Sequence, residues 1–264
     1  MTAQKSFFDL PCNVLLQPID DKYLDKFGVN LSVLRIDQIN KHVSGNKWFK
    51  LKYNLEAVLS AGAEQVLSFG GAYSNHIHAL AWAGKELGIK TVGVIRGEKE
   101  YADNPTLSDT SKWGMELKFV DRQTYRQRGD PVFHQHLRRE VGDFYLVPEG
   151  GSNAEAVKGC MEIVPSSVKE NFSPTHIVAA CGTGGTLSGI AMANPEVSVL
   201  GIPVLKNAGF LEGDIRELII AAGYVDPKNW HLDLAGHFGG YAKQSSELSE
   251  FCDDFASTHG ILLD

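Results

Sequence analysis

Lys47 stands where a neutral amine could react with a carbonyl group. It follows Gly45 and Asn46 in the stretch SGNKWFKL, residues 44 to 51, and apolar residues then recur at helical spacing. The positive end of a helix dipole and partial burial both favour the neutral form of a lysine there. The neutral amine is the form that condenses with a carbonyl. The alternative is that Lys47 is a solvated surface lysine, as most lysines are.

A second stretch, SFGGAYSNH at residues 68 to 76, could hold an anion. An apolar run ends at a Gly-Gly pair, and Ser74 and Asn75 then begin a helical pattern, so backbone amides and polar side chains converge at a helix N-terminus. The alternative is that these two residues only cap their helix. His76 and His78 point to different faces of the helix, and no carboxylate or cysteine stands at ligand spacing, so we predict no metal site.

A third stretch, CGTGGTLSG at residues 181 to 189, has the form of a phosphate cradle. A predicted strand enters it and a helix leaves it, glycines allow a tight turn with inward-pointing amides, and threonines add hydroxyl donors. The residues concerned are Gly182, Thr183, Gly184, Gly185 and Thr186. It is not a P-loop, because no lysine follows the glycines, and Leu187 replaces the third glycine of a dinucleotide fingerprint. A tight turn without a ligand, or a nucleotide site, remains an alternative.

The composition is that of a globular protein acting on small molecules. The chain has 264 residues, 43% of them hydrophobic, and a formal net charge of -7 without a cluster of Lys and Arg, which argues against nucleic acid as a partner. No apolar run approaches the ~20 residues of a membrane span, and the N-terminus lacks a signal-peptide core, so we expect no membrane association and a cytoplasmic location. The four cysteines form no CxxC pair and are expected to be reduced.

Short apolar strands alternate with amphipathic helices along the whole chain. This alternation predicts an α/β fold with parallel sheets covered by helices on both faces, and the number of strands favours two sheets. The strands are predicted at residues 30–39, 64–69, 90–96, 116–120, 144–148, 176–181 and 197–205, with a short one in WHLDLA. The helices are predicted at residues 47–61, 74–88, 131–142, 153–164, 186–193, 212–223 and 245–260, with another within 104–114.

Three segments carry weaker signals. The polar stretches at residues 101–114 and 122–132 are predicted to be mainly surface connections. The final ILLD, residues 261–264, is predicted to enter a strand, and ending there would leave a sheet edge without a partner. We therefore expect the natural chain to continue past Asp264.

Five stretches together carry a family resemblance. SGNKWFKLKY, SFGGAYSNH, EGGSN, CGTGGTLSG and HFGGYAK follow one another in the order and spacing of pyridoxal-phosphate enzymes of the tryptophan synthase β-subunit fold group. Within that group they resemble the 1-aminocyclopropane-1-carboxylate deaminase and D-cysteine desulfhydrase family. The resemblance implies the type II pyridoxal-phosphate enzyme fold, commonly a homodimer, with pyridoxal 5′-phosphate in the cleft between two α/β domains. The implied domains are a larger one of residues 1–48 and 149–264, which binds the phosphate, and a smaller one of residues 49–148.

The resemblance also implies roles for single residues. Lys47 matches the lysine that bonds covalently to the cofactor and moves protons. Asn75 matches the residue that donates a hydrogen bond to the phenolic oxygen of the cofactor. Ser74 matches the serine that contacts the substrate carboxylate and assists catalysis, residues 182 to 186 match the phosphate loop, and Tyr241 matches one of two active-site tyrosines. The second tyrosine and the partner of the pyridine nitrogen would lie beyond residue 264.

The implied activity is that of a lyase or deaminase acting on a small amino acid. His76 after Ser-Asn and the GTGGT loop look more like the D-cysteine desulfhydrase branch, whose products are a keto acid, ammonia and sulfide. The alternatives are ring opening as in 1-aminocyclopropane-1-carboxylate deaminase, and a catalytically silent relative that binds a small ligand. The residues WF after Lys47 replace a more basic pattern in both branches, which leaves the substrate open.

Overall fold

Two parallel sheets form the framework of the protein, as the alternating pattern predicts. A computed structural model describes residues 7–8, 14–241 and 243–263. In these residues one sheet has the strand order β5-β4-β3-β6 and the other has the order β7-β8-β9, while β1 and β2 pair antiparallel. Helices pack on both sheets, so the α/β class is confirmed.

The N-terminal part is more broken than predicted. Strand β1 (Leu16–Ile19) and helix α1 (Lys22–Asp25) were not foreseen, and the strand predicted at 30–39 ends early as β2 (Leu31–Leu34). The cause lies in Arg35, whose buried guanidinium binds the carboxylate of Asp37 at 2.8 Å. This contact turns the chain into a short 3-10 helix, Ile36–Gln38, instead of a longer strand.

The first parallel sheet is made by the middle of the chain. Its elements are α2 (Asn46–Ser60), β3 (Gln65–Gly71), α3 (Asn75–Leu87), β4 (Lys90–Arg96), α4 (Pro105–Lys112), β5 (Glu116–Val120), α5 (Arg122–Tyr125), α6 (Pro131–Val141) and β6 (Tyr145–Leu146). Strands β4 and β5 have the predicted bounds. Strand β3 runs on through both glycines, whereas β6 pairs over only two residues.

The two polar stretches are not simple surface connections. Helix α4 buries Leu107 and Thr110, and α5 buries Tyr125, although the residues around them are polar. Much of that polarity serves helix capping, because Asn104 and Asp121 accept hydrogen bonds from backbone amides at the start of α4 and α5. The prediction of surface connections there was therefore wrong in part.

The second parallel sheet is made by the C-terminal part. Its elements are α7 (Ala154–Cys160), α8 (Ser166–Phe172), β7 (His176–Cys181), α9 (Gly185–Ala193), β8 (Ser198–Pro203), α10 (Leu211–Ala221), β9 (Trp230–Leu232) and α11 (Ser246–His259). The strand expected at the end is not found, since residues 261–263 have no regular structure. Asp264 lies outside the described residues. No helix in the described part is long and apolar enough to cross a bilayer.

Helices α2 and α7 hold the two halves of the chain together by close approach. A Cβ atom built on Gly159 of α7 would overlap the backbone carbonyl oxygen of Phe49 in α2. Helix α9 approaches α7 as closely, because a Cβ on Gly189 of α9 would overlap the side chain of Cys160 in α7. Because backbone atoms cannot yield as a side-chain end can, Gly159 is required for this contact.

Replacing Gly159 tests this contact. We expect Gly159→Ala to lower the free energy of unfolding by about 2–3 kcal/mol, because an overpacked core must move backbone. Gly213→Ala is the matched control: Gly213 is also helical, has nothing within 4 Å of a built Cβ, and should gain about 0.5 kcal/mol from helix propensity. Urea unfolding of both variants measures the difference. Equal stabilities would contradict the close approach.

Candidate active site

Lys47 lies in the first turn of α2, where the sequence places it. The helix begins after Gly45, whose backbone has φ 62° and ψ -141°, and the side chain of Lys47 is half-buried. Its Nζ atom donates a hydrogen bond to Oδ1 of Asn46 at 2.6 Å. The amine is thus held at the helix start rather than extended into solvent.

Asn46 connects this lysine to the glycine-rich loop. While its Oδ1 accepts from Lys47, its Nδ2 donates to Oγ1 of Thr186 at 2.7 Å. One amide therefore sets the distance between the amine and the loop 140 residues further along the chain. The sequence analysis gave Asn46 no role, since an asparagine before a helix is most often only a turn residue.

The glycine-rich loop forms a cradle that only glycine can line. Gly184 has φ 80°, and a Cβ built there would lie 2.7 Å from Ile215, while one on Gly185 would lie 2.9 Å from Oγ of Ser152. Helix α9 begins at Gly185, so its unpaired amides face the loop. The carboxyl end of β7, glycine backbone and a helix N-terminus thus meet, as phosphate binding requires.

A buried cation lies against this cradle. Lys50 is 3% exposed, and its Nζ donates to the Gly150 carbonyl at 2.8 Å, to Oγ of Ser152 at 2.8 Å and to Oγ1 of Thr183 at 3.3 Å. Its three partners are neutral, and among the described residues no carboxylate pairs with it. Burial lowers the pKa of Lys50. A bound phosphate dianion would compensate this charge.

The sequence analysis assigned no role to Lys50, because most lysines are solvated. Its spacing carries a usable signal: it stands three residues after Lys47, on the same face of one helix. Two lysines on one face of a helix that begins at a glycine point towards a shared anionic ligand.

Ser74 and Asn75 begin helix α3 at the end of β3. Oγ of Ser74 accepts a hydrogen bond from the amide of Ile77 at 3.3 Å, so Ser74 does cap the helix. Ser74 is half-buried, and Asn75 is exposed. Tyr241 reaches the same segment from the C-terminal part of the chain, since its hydroxyl lies 3.5 Å from the carbonyl oxygen of Tyr73.

His76 lies behind this segment and is buried. It is 1% exposed, its Nε2 lies 2.9 Å from Oγ of Ser68, and its Nδ1 has no hydrogen-bond partner among the described residues. Burial, followed by the nearby charges of Lys47 and Lys50, lowers the pKa of His76 well below its usual value. The imidazole is therefore neutral. No group of metal-binding side chains occurs within the described ranges.

The donor set fits a phosphate-bearing carbonyl compound. The glycine cradle and the unpaired Lys50 charge suit a phosphate, and the amine of Lys47, linked to the cradle through Asn46, suits a carbonyl at a fixed distance from it. The structure brings Lys47 close to residues 182 to 186, and it brings Tyr241 close to Ser74. A turn without a ligand would need neither the amine nor the buried lysine beside it.

Comparison with known proteins points the same way. The family described as "Pyridoxal-phosphate dependent enzyme" matches residues 21–264. A putative 1-aminocyclopropane-1-carboxylate deaminase from Thermotoga maritima is 32% identical over 256 residues, which cover 91% of this chain and 81% of the relative. The bifunctional D-cysteine desulfhydrase/1-aminocyclopropane-1-carboxylate deaminase of Arabidopsis thaliana is 28% identical, over 90% of this chain and 64% of the relative.

Solved structures confirm the fold class. The crystal structure of an ACC deaminase homologue superposes with a TM-score of 0.83 and 24% identity, covering 96% of this chain and 80% of that one. A hydrogen sulfide-producing enzyme from Fusobacterium nucleatum gives a TM-score of 0.68 at 15% identity, covering 98% of this chain and 87% of that one. At such identities the likeness is one of fold.

The buried neutral state of His76 should make stability depend on pH. Its pKa is lowered in the folded protein, so the unfolded chain binds more protons below the unfolded pKa of 6.5, and stability falls as pH falls through that value. We expect wild type to lose about 1 kcal/mol more than His76→Gln between pH 7.0 and 5.5 in urea unfolding. The exposed His136→Gln should follow wild type. Parallel curves for wild type and His76→Gln would show that His76 is charged or solvated.

Proposed function

The chain belongs to the family of pyridoxal-phosphate dependent enzymes, and we propose that it is a lyase or deaminase that acts on a small amino acid in the manner of a D-cysteine desulfhydrase. Its cofactor is pyridoxal 5′-phosphate. The observation that carries the proposal is the Asn46 amide, which contacts both the Lys47 amine and Thr186 of the glycine-rich loop. Amine and phosphate cradle are held together by one side chain.

The phosphate of the cofactor would be held by residues 182 to 186. The amides at the start of α9 would donate to its oxygens, with Gly182, Gly184 and Gly185 leaving room for close approach. Thr183 and Thr186 would add hydroxyl donors. Lys50 would supply a buried positive charge beside the loop, and that charge counts for more there than it would in water.

The reacting groups would come from both halves of the chain. Bound pyridoxal phosphate supplies a carbonyl that captures amino groups and a ring that stores electrons. Lys47 Nζ would bond to the cofactor and, once displaced by substrate, accept and return a proton at the substrate carbon. Asn75 would donate to the phenolic oxygen, and Ser74 would hold the substrate carboxylate at the N-terminus of α3. Tyr241 would close the site near Tyr73.

The substrate class is proposed from the relatives. A D-cysteine substrate would lose its thiol and amino groups, giving a keto acid, ammonia and sulfide. Ring opening of 1-aminocyclopropane-1-carboxylate is the second candidate, favoured by the name of the 32% identical Thermotoga maritima relative. The plant relative carries both activities in its name, so the two are compatible with one family site.

The domain division is also a proposal. The strands of the first parallel sheet fall within residues 49–148 and those of the second within 149–264, as the division at 1–48 and 149–264 against 49–148 requires. Helix α2 crosses the first boundary and packs mainly on α7. A homodimer and a cytoplasmic location complete the proposal, on the strength of the family resemblance and the charge and composition of the chain.

Replacing Lys47 tests the covalent role. We expect purified wild type, incubated with pyridoxal phosphate, to show the visible absorbance of covalently held cofactor, and Lys47→Ala to show none. Borohydride treatment followed by peptide mass spectrometry should locate the cofactor on Lys47. Lys41→Ala, which changes an exposed lysine of the preceding loop, should behave as wild type. Modification of another lysine in wild type would refute the assignment.

A substrate panel tests the activity itself. Wild type should release keto acid and sulfide from D-cysteine, and keto acid without sulfide from any ring opening of 1-aminocyclopropane-1-carboxylate. Ser74→Ala should lower kcat/KM by about 100-fold, the loss of about 2.7 kcal/mol of transition-state binding, through loss of a charge-assisted hydrogen bond. L-cysteine is the stereochemical control. A protein that binds the cofactor but releases no keto acid from any of these would be the silent relative.

A further inference from the structure

Glu149 lies outside the groups assigned above, yet both of its carboxylate oxygens are held. Oε1 accepts a hydrogen bond from the hydroxyl of Tyr125 at 2.6 Å, and Oε2 pairs with Nε of Arg128 at 2.5 Å. Both partners belong to the stretch that follows β5, which the sequence analysis took for a surface connection. A half-buried carboxylate with two such donors is held in one position.

Tyr125 is itself a rigid support. It is 2% exposed, and the guanidinium groups of Arg96 and Arg128 each lie 5.4 Å from its ring centroid. Phe69 of β3 meets it edge-on at 6.1 Å. Burial and the Glu149 charge raise the pKa of Tyr125, so the hydroxyl keeps its proton and remains a donor. The support is therefore tied directly to strands β3 and β4.

The residues that follow Glu149 form a turn that accepts hydrogen bonds from Lys50. Gly150 and Gly151 have φ 65° and 67°, and the carbonyl of Gly150 and hydroxyl of Ser152 accept from Lys50 Nζ. A Cβ on Gly150 would lie 2.8 Å from Oγ1 of Thr183. The turn therefore touches both the buried cation and the phosphate loop.

Two consecutive glycines give this turn no side chains of its own to restrain it, and glycine has the widest choice of backbone conformations. An outside restraint is needed if the Gly150 carbonyl is to stay in place for Lys50. Glu149 is the residue directly before the glycines, and its carboxylate is anchored to the sheet through Tyr125.

We infer that Glu149 is a positioning residue for the cofactor phosphate: through Tyr125 and Arg128 it fixes the Glu149–Ser152 turn, and thereby Lys50 and Thr183. This inference rests on the proposed phosphate role of residues 182 to 186. It predicts an effect on ligands that carry a phosphate and not on the amine chemistry of Lys47. That difference separates positioning from a general loss of stability.

The test compares the affinities of the full-length protein, freed of cofactor, for pyridoxal phosphate and for pyridoxal. We expect Glu149→Ala to raise the Kd for pyridoxal phosphate about 10-fold, and Glu149→Gln and Tyr125→Phe about 3-fold, since each keeps one of the two anchoring contacts. The Kd for pyridoxal should change by less than about 2-fold, because it lacks the phosphate. Absorbance titration gives both constants.

Glu140→Ala is the matched control. Glu140 is an acidic residue of α6, paired with Lys118 at 3.1 Å on the surface. The Kd values of Glu140→Ala for pyridoxal phosphate and for pyridoxal should both equal those of wild type. If Glu149→Ala does not fold, the Kd values of Glu149→Gln and Tyr125→Phe for the two ligands test the inference.

Three results would overturn the inference. Unchanged affinity for pyridoxal phosphate in the Glu149 and Tyr125 variants, with wild type still binding it more tightly than pyridoxal, would refute the role of Glu149 alone. Equal weakening of both ligands would show a general structural role instead. If wild type itself made no distinction between the two ligands, the proposed phosphate site would fail, and the inference with it.

Discussion

The buried ammonium of Lys50 is the constraint on which the site depends. A positive charge removed from water costs several kcal/mol unless it is compensated, and here the protein offers three neutral oxygens and no carboxylate among the described residues. These acceptors come from the Gly150–Ser152 turn and from Thr183 in the C-terminal part of the chain. Lys50 of α2 therefore connects the start of the first parallel sheet's segment to that part. An anion beside the loop would complete the compensation, so the proposed binding of the cofactor phosphate would also stabilise this part of the fold.

Glycine is what allows so many backbone segments to meet at this point. Gly184 and Gly185 let the loop lie against α10 and Ser152, while Gly159 lets α7 lie against α2. A methyl group at any of these positions would enter space that is already filled. At these positions glycine is thus a packing requirement at the junction of the two sheets rather than a sign of flexibility, and the same holds for Gly150, where a Cβ would lie 2.8 Å from Oγ1 of Thr183.

The sequence predicted most of the framework because its strands are nearly continuous apolar runs. Strands β4, β5 and β7 have their predicted bounds, although only β4 is buried along nearly its whole length and β5 and β7 stay partly exposed. It failed where a single contact decides the local structure, as at Arg35. The prediction of a surface connection was also wrong at Tyr125, because the polar capping residues around it hide the signal of a buried aromatic side chain. The cradle and Lys47 could be found from local motifs, whereas the roles assigned to them remain predictions.

Contacts between distant segments were beyond the reach of motif analysis. Asn46 and Lys50 look like ordinary polar residues until the loop at 182 to 186 is brought against the start of α2. Their partners in that loop, Thr186 and Thr183, are more than 100 residues away, so no local pattern records them. If the proposed roles hold, the amine and the buried lysine lie one helical turn apart on α2, so a rigid element rather than a loop would set the spacing between the two ends of the cofactor.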